Sequence, residues 1–206
     1  MEIACLDLEG VLTPEIWVAV AKQTGIPELA TTTRQIPDYD QLMRNRLKLL
    51  KQHNLGLKEI QAVIATLDPL DGAPEFLNWL RHHFQVVILS DTFYQFAAPF
   101  MAKLGHPTLL CHNLTIDDRG QIAAYHLRQA NPKRQAVLAF KSLYYRCIAA
   151  GDSHNDTAMF AEADAAIFFR PPPELAKKFP QYPQANTYPE FQTEFTKASH
   201  RPLTPP

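Results

Sequence analysis

The chain has 206 residues, of which 46% are hydrophobic and 20% charged. This is enough apolar material for one globular domain, or for one domain with a modest insertion, and too little chain for a large multidomain assembly. The formal net charge of -1 excludes a general electrostatic attraction to nucleic acid or to an anionic membrane. The N-terminal segment does not resemble a secretory signal, and no apolar run approaches the ~20 residues that span a bilayer. We therefore expect a cytoplasmic protein that binds neither nucleic acid nor membranes.

Short apolar runs predict the strands of a parallel sheet with helical crossovers, an α/β fold. They are Ile3–Leu8, Val86–Leu89, Cys147–Ala150 and Ala165–Phe169. Nearly continuous hydrophobicity within each run is expected when helices cover both faces of such a sheet. A hairpin over Leu114–Asp117 and Ile122–Tyr125 interrupts the alternation of strands and helices.

Helical periodicity dominates between Thr13 and Asp71, where no strand pattern is convincing. We interpret residues 13–71 as a helical cap inserted into a core of residues 1–12 and 72–206, with a loose tail from about 199 to 206. Thr13 is predicted to cap the first cap helix, with Pro14 at its first position. The second helix carries an apolar stripe at a spacing of three to four residues: Tyr39, Leu42, Met43, Leu47 and Leu50.

Arg46 falls on that apolar stripe. An arginine directed at an apolar surface needs either a route for its head group to water or a buried anion. Arg46 is therefore a candidate ligand-binding residue. Met43, one turn earlier, lines the same pocket or belongs to the core, and the core is the commoner place for a methionine.

The first motif is Asp7-Leu8-Glu9-Gly10-Val11, directly after the first predicted strand. Acids at positions i and i+2 point to the same side of an extended chain, and Gly10 lets the chain turn away. Two acids at a strand end form a candidate Mg²⁺ site. The alternative is an acidic strand end that faces water.

The next two motifs combine polar groups with predicted helix starts. Ser90-Asp91-Thr92 precedes a helix expected from Phe93, where a hydroxyl and backbone N–H groups can bind phosphate or simply cap the helix. Lys133 follows Asn131-Pro132 at another helix start, where a cation opposes the helix dipole. A purely local stabilising role is thus poorly motivated for Lys133, although a solvated surface lysine remains the alternative.

The fourth motif is Gly151-Asp152-Ser153-His154-Asn155-Asp156, after the third predicted strand. Asp152 and Asp156 can ligate a metal ion and orient its other ligands. Ser153 and Asn155 could instead cap the helix that follows.

Each motif follows a predicted strand, so all four would lie at the carboxyl edge of one sheet, where open α/β folds bind ligands. Together they resemble the haloacid dehalogenase superfamily of phosphotransferases, whose pattern is an aspartate pair, a Ser or Thr, a Lys and a terminal acidic motif. The resemblance covers most of residues 1–170. It implies a Rossmann-like parallel-sheet core with a small helical cap.

The resemblance also implies a role for each motif residue. Asp7 would attack phosphorus to form an aspartyl-phosphate, and Glu9 would protonate the leaving alcohol and then activate the acceptor. Mg²⁺ would be held by the Asp7 carboxylate, the Glu9 backbone carbonyl and Asp152, with Asp156 supporting the site. Ser90 and Lys133 would hold phosphoryl oxygens, and the further candidates for phosphate or substrate binding are Asp91 and Asn155.

Glu9 stands where the family usually has a second aspartate, and its extra methylene changes the reach of the acid/base. With this Asp-Leu-Glu-Gly-Val run, the chain resembles the bacterial phosphoserine phosphatases that also transfer phosphate to homoserine. Ile36–Asp40 and Phe140–Arg146 extend the similarity. Glu15 and Arg46 match the positions that bind the ammonium and carboxylate of phosphoserine, although Glu15 could instead stabilise a helix dipole. The resemblance leaves water and homoserine open as acceptors and implies a homodimer.

Two other interpretations compete with a phosphotransferase. Asp7-Leu8-Glu9 also resembles the first motif of two-metal 3′–5′ exonucleases, which need further metal-binding acids and a nucleic-acid surface. That interpretation leaves Ser90, Lys133 and the fourth motif unexplained as a set. A noncatalytic protein that binds a phosphorylated metabolite is the second alternative, and the presence of both Asp7 and Glu9 argues against it.

Overall fold

The computed structural model describes residues 1–32, 35–36 and 38–203. It contains a seven-stranded sheet with the strand order β4-β3-β2-β1-β5-β6-β7. The strands are β1 (Glu2–Leu6), β2 (Gln85–Phe93), β3 (Thr108–Ile116), β4 (Ile122–His126), β5 (Arg146–Gly151), β6 (Ala165–Phe169) and β7 (Gln184–Ala185). All neighbouring strands pair in parallel except β3 and β4, which form an antiparallel hairpin.

The helices connect these strands and account for most of the remaining chain. They are α1 (Ile16–Thr24), α2 (Tyr39–Gln52), α3 (Leu57–Ala65), α4 (Ala73–His83), α5 (Tyr94–Lys103), α6 (Pro132–Ser142), α7 (Thr157–Phe160), α8 (Pro173–Lys178) and α9 (Tyr188–Ala198). Single 3-10 turns occur at Pro27–Ala30 and His154–Asp156. Among these helices, none is long and apolar enough to cross a bilayer.

Strand β1 lies at the centre of the sheet and is buried along its whole length. Its side chains alternate between the two faces, so Ala4 and Leu6 pack into one hydrophobic cluster and Ile3 and Cys5 into another. Because both faces are covered, every position of the strand must be apolar or fully bonded. This explains the continuous apolar runs in the sequence and confirms the predicted α/β fold.

The predicted strands are present, but two bounds differ in ways that concern function. Strand β2 continues through Ser90-Asp91-Thr92 to Phe93, and its register with β3 shifts between Leu89 and Phe93. Strand β3 begins at Thr108, whereas the sequence predicted only its hairpin half from Leu114. Polar residues in the middle of β3 interrupt its apolar pattern and conceal its parallel half.

Between Thr13 and Asp71, the described residues form helices and turns and no extended strand. Thr13 does not cap α1, because that helix begins at Ile16 with Glu15 in the capping position. Thr13 is instead buried, and its hydroxyl donates to the Leu8 carbonyl at 3.3 Å. The division into cap and core remains a prediction, and part of the predicted tail, residues 204–206, lies outside the described residues.

Candidate active site

The carboxyl ends of β1, β2 and β5 lie side by side and border a cavity of about 350 Å³. At this point the strand order reverses, which is where open α/β sheets bind ligands. The predicted residues that line the cavity are Asp7, Glu9, Glu15, Arg46, Ser90, Asp91, Asp152 and Asn155. Lys133 and Asp156 lie directly behind this lining, in contact with Asp7 and Asp152.

Asp7 is fixed by the backbone at the end of β1. Its N–H donates to the Ala150 carbonyl of β5 at 2.9 Å, and its own Oδ1 accepts the N–H of Leu8 at 2.7 Å. Gly10 then turns the chain with a φ of +76°. A Cβ at Gly10 would lie 2.4 Å from Oδ2 of Asp152, so glycine is required for the close approach of the first and fourth motifs.

Lys133 is buried among carboxylates. Its Nζ lies 2.8 Å from both Asp7 Oδ2 and Asp156 Oδ1, and 3.9 Å from Asp91 Oδ2. Burial alone would lower the pKa of Lys133, but Asp156, Asp7 and Asp91 outweigh burial and raise it well above its ordinary value. The residue is only 4% exposed, which rules out a solvated surface lysine.

Asp156 organises the loop after β5. It is fully buried, and its Oδ2 accepts the N–H groups of Asp152 at 3.1 Å and Ser153 at 3.0 Å. A Cβ at Gly151 would lie 2.2 Å from Asp156 Cγ, so only glycine lets this carboxylate sit beneath the strand end. Asn155 points the other way and donates from Nδ2 to Asp91 Oδ2 at 2.9 Å. The fourth motif therefore links two strand ends rather than simply starting a helix.

Asp7, Asp152 and Asp156 form an acidic triad whose oxygens lie within 4.8 Å of one another. Burial, followed by the charge of Asp156, raises the pKa of Asp7 well above its usual range and that of Asp152 to about 7. Lys133 supplies one positive charge against these three carboxylates. Oxygen ligands with a deficit of positive charge fit a hard divalent cation such as Mg²⁺. The ligand set that includes the Glu9 carbonyl remains a prediction.

Glu9 lies between the acidic triad and the helices that cover it. It is half-buried, and its Oε2 accepts the N–H of Ile16 at 3.2 Å. Burial, followed by the charge and hydrogen bond of Glu15, raises the pKa of Glu9 to about 8. Its side chain is therefore turned toward α1 and Glu15 rather than toward the triad.

Arg46 is buried on α2, as its place on the apolar stripe suggested. Nη2 donates to the Thr31 carbonyl at 2.8 Å, and the guanidinium carbon lies 4.4 Å from the centre of the Trp17 ring. Burial lowers the pKa of Arg46 to about 10. Its Nε is buried without a hydrogen-bond partner among the described residues, which leaves a donor available for an anion. Met43 is buried and contacts Arg46 through sulfur.

Ser90 occupies the end of β2 and not the start of a helix. Its side chain is buried, and Oγ accepts the N–H of Thr92 at 3.2 Å. The capping residue of α5 is Phe93, which makes no side-chain cap bond. The helix expected from Phe93 is thus present, with its first residue at Tyr94, but neither Ser90 nor Asp91 caps it. Phosphate binding at Ser90 remains a prediction. The hydroxyl still lines the cavity beside Asp91.

The sequence did not identify His112 as a site residue. It is buried in β3, its Nδ1 accepts the N–H of Arg128 at 3.1 Å, and its Nε2 lies 3.7 Å from Asp91 Oδ1. Burial alone would raise the pKa of Asp91, but Lys133, His112 and Asn155 outweigh it and hold the pKa at about 2. A histidine within a buried parallel strand would have indicated a site residue. His112 was not recognised as one because the parallel half of β3 was not predicted.

Residues of the helices complete the cavity wall. Tyr39 lines it from α2 and donates its hydroxyl to the Asp91 carbonyl at 3.3 Å, while Trp17 lines it from α1. We call Glu15, Trp17, Tyr39 and Arg46 the helix side of the cavity. The strand side consists of Asp7, Ser90, Asp91, Lys133, Asp152 and Asp156. Glu9 lies between the two sides.

Known proteins match both the sequence and this fold. Phosphoserine phosphatase ThrH of Pseudomonas aeruginosa is 62% identical over 204 residues, which cover 99% of this chain and 100% of that protein. The phosphoserine phosphatase of Pseudomonas syringae pv. tomato is 62% identical over 203 residues, which cover 98% of this chain and 86% of that protein.

A solved substrate-bound phosphoserine phosphatase complex has the same fold, with a TM-score of 0.77 and 21% sequence identity over 94% of this chain and 97% of that one. The haloacid dehalogenase-like hydrolase family matches residues 1–164, which include all four motifs. This match covers most of the chain, and the chain belongs to that hydrolase family.

Proposed function

We propose that this protein is a Mg²⁺-dependent phosphoserine phosphatase that also transfers the phosphoryl group to L-homoserine. The observation that carries the proposal is the buried contact of Lys133 with Asp7, beside a cavity that has a guanidinium at its opposite side. Identity of 62% with two proteins named phosphoserine phosphatase supports the substrate. The match to the haloacid dehalogenase-like hydrolase family includes all four motifs and so accounts for the residues that the exonuclease interpretation leaves unexplained.

In the first step, an Asp7 carboxylate oxygen attacks phosphorus, and the bond between phosphorus and the serine oxygen breaks. Glu9 gives a proton to that oxygen, so L-serine leaves as the alcohol and an aspartyl-phosphate remains on Asp7. In the second step, Glu9 takes a proton from water, the water oxygen attacks phosphorus, and Asp7 is released with inorganic phosphate. Glu9 lines the cavity, and its pKa of about 8 means that it carries a proton near neutral pH, as the first step requires.

The strand side binds the phosphate. Lys133 Nζ lies 2.8 Å from Asp7 Oδ2, and Ser90 lines the cavity. In this proposal both groups donate to phosphoryl oxygens and stabilise the charge that spreads over these oxygens during transfer. The residues that would hold Mg²⁺ are Asp7, Asp152 and the Glu9 carbonyl, with Asp156 in support. When bound, Mg²⁺ neutralises the repulsion between the Asp7 carboxylate and the incoming phosphate.

The helix side recognises the amino acid part of the substrate. The guanidinium of Arg46 pairs with the substrate carboxylate through parallel hydrogen bonds, and Glu15 pairs with the ammonium group. The buried Nε of Arg46, which lacks a hydrogen-bond partner among the described residues, supports this assignment. Homoserine carries the same two charged groups, so it can occupy this side when its hydroxyl replaces water in the second step.

The test is to incubate the purified protein with Mg²⁺ and phosphoserine, with and without homoserine, and to quantify serine, inorganic phosphate and phosphohomoserine. We expect serine to appear in both reactions, and phosphohomoserine to replace part of the phosphate when homoserine is present. Failure to consume phosphoserine would reject the substrate. If serine is released and inorganic phosphate forms without phosphohomoserine, the protein is a phosphatase, and the proposed transfer to homoserine is rejected.

A further inference from the structure

A second cavity, of about 680 Å³, lies at the opposite edge of the sheet. Glu2, Gln85 and Arg146 line it at the starts of β1, β2 and β5, whereas the candidate active site lies at the ends of the same strands. Strand β1 has five residues, which separate the two edges by about 16 Å at ~3.3 Å per residue. The two cavities are therefore different sites.

The lining of this second cavity is strongly basic. It contains three arginines, three histidines and one acid, namely Arg81, Arg146, Arg201, His82, His83, His200 and Glu2. With neutral histidines, the arginines outnumber the acid by two charges, in a protein whose total formal charge is -1. Such a concentration of one sign of charge attracts a small anion.

The bonds of Glu2 do not neutralise this lining. Its oxygens accept from the Ser199 hydroxyl at 2.7 Å, the His200 N–H at 2.9 Å and Arg201 Nε at 3.2 Å. Nε of Arg146 lies 3.6 Å from Glu2 Oε1, too far for a hydrogen bond, and this buried nitrogen has no hydrogen-bond partner among the described residues. Glu2 thus holds the C-terminal segment, and Arg146, whose Nη2 donates to the Ala198 carbonyl at 2.8 Å, keeps a buried Nε without a hydrogen bond.

Arg81 differs from Arg146 in that no carboxylate of the described residues lies within ion-pair distance of it. Its Nη2 donates to the carbonyls of Leu104 at 2.8 Å and Gly105 at 3.2 Å, and Nη1 donates to Asn78 Oδ1 at 3.3 Å. All of these partners are neutral, and no acid of the described chain forms an ion pair with Arg81. Arg81 therefore lines the basic cavity with a positive charge that no ion pair compensates.

We propose that this basic cavity binds a small dianion, through the guanidinium groups of Arg81 and Arg146. Two negative charges match the excess of two arginines, and a planar guanidinium donates two parallel hydrogen bonds to either a phosphate or a carboxylate group. The ligand class is a metabolite with a doubly charged phosphate or with two carboxylates. Nothing in the proposed phosphatase reaction uses these residues.

The chain provides its own fluorescent reporter for this site. It has two tryptophans, Trp17 beside the candidate active site and Trp79 on α4. The Trp79 ring lies 4.7 Å from the ring of His83, which lines the basic cavity. In a Trp17→Phe protein, Trp79 is the remaining tryptophan, and its signal comes from beside the basic cavity.

The experiment titrates Trp17→Phe with inorganic phosphate and, separately, with succinate, against sodium chloride of equal ionic strength. We expect a saturable change in Trp79 fluorescence with at least one dianion, and none with chloride. If only phosphate gives a saturable fluorescence change, the ligand of the basic cavity is assigned as a phosphate ester. If succinate gives one, the ligand is assigned as a dicarboxylate. Responses that stay linear, or that chloride reproduces, would overturn the proposal.

Variants in the same background locate the binding. Arg146→Gln should weaken binding about tenfold, because one charge-assisted pair is lost. The matched control is Arg119→Gln, which removes an exposed arginine from the β3–β4 hairpin and should leave affinity unchanged. Glu2→Gln should tighten binding by removing the competing carboxylate, an effect that misfolding cannot produce. Equal weakening by Arg146→Gln and Arg119→Gln, or weaker binding in Glu2→Gln, would contradict the site.

Discussion

The strand side and the helix side of the candidate active site differ in how they hold charge. On the strand side, Lys133 and Asp156 are buried and paired with each other at 2.8 Å. On the helix side, Glu15 is exposed, and Arg46 keeps a buried nitrogen without a hydrogen-bond partner in the described chain. The strand side is already organised around its own charges, whereas the helix side keeps an unbonded donor that we propose binds the substrate.

The difference follows from the elements that carry the residues. Each parallel strand is held by hydrogen bonds to the strands on both of its sides. The backbone of Asp7 is therefore fixed by its hydrogen bond to Ala150, independently of any side-chain contact. Arg46 reaches its place through a long side chain that rests on Trp17. We therefore expect substitutions on the strand side to affect chemistry and stability, and substitutions on the helix side to affect substrate choice.

The largest effect is expected for Asp7→Asn on the strand side. The substitution keeps the shape of the side chain but removes the anionic nucleophile, so turnover of phosphoserine should fall by about 10⁴-fold or more. Lys133 retains Asp156 as a partner, so the protein should still fold. Phosphate release and thermal unfolding measure the two properties. With Asp118→Asn, an exposed control on the hairpin, neither should change, and unchanged turnover in Asp7→Asn would refute the nucleophile.

Lys133→Met should combine loss of activity with loss of stability. It removes the cation from between Asp7 and Asp156 and leaves two buried carboxylates uncompensated, which costs about 3–5 kcal/mol of unfolding free energy. Urea unfolding followed by circular dichroism measures this cost. Lys177→Met, at an exposed position of α8, is the control. Equal stability of the two variants would show that the strand side is not organised by its own charges.

Arg46→Ala tests the helix side. Loss of a charge-assisted pair should lower kcat/KM for phosphoserine by about 10- to 100-fold, with a much smaller effect on a phosphate ester that has no charged amino acid groups. Arg44→Ala, on the exposed surface of the same helix, should leave kcat/KM for both substrates unchanged. Equal losses for the two substrates would assign Arg46 a structural role and remove the distinction between the sides.

Sequence patterns predicted those parts of the site that depend on local order. A buried strand followed by acids located Asp7 and Asp152, and an arginine within an apolar stripe located Arg46. The contact of Lys133 with Asp156 joins residues 23 positions apart, and no local pattern reports it. His112 was missed for a related reason, since only the fold shows that its strand runs beside β2 and directs the ring toward Asp91.

The smallest expected effect concerns Asp91, whose backbone carbonyl contacts the helix side through Tyr39. Although burial opposes it, the charge of Lys133, the nearby His112 and the hydrogen bond from Asn155 hold the pKa of Asp91 at about 2. Because this value lies below the ordinary 3.8 of a carboxyl, ionised Asp91 stabilises the fold above pH 3.8, and the contribution disappears as the pH falls toward 2.

Asp91→Asn should therefore lower the unfolding free energy by about 1 kcal/mol near neutral pH, since solvent screens part of the interaction. The difference from the unsubstituted protein should shrink as the solution is acidified, and urea unfolding over a pH series measures it. Asp117→Asn is a poor control because Asp117 bonds its own turn, so exposed Asp118→Asn serves instead. A difference that grows on acidification would mean that Asp91 is held protonated and that Lys133 is engaged by the acidic triad alone.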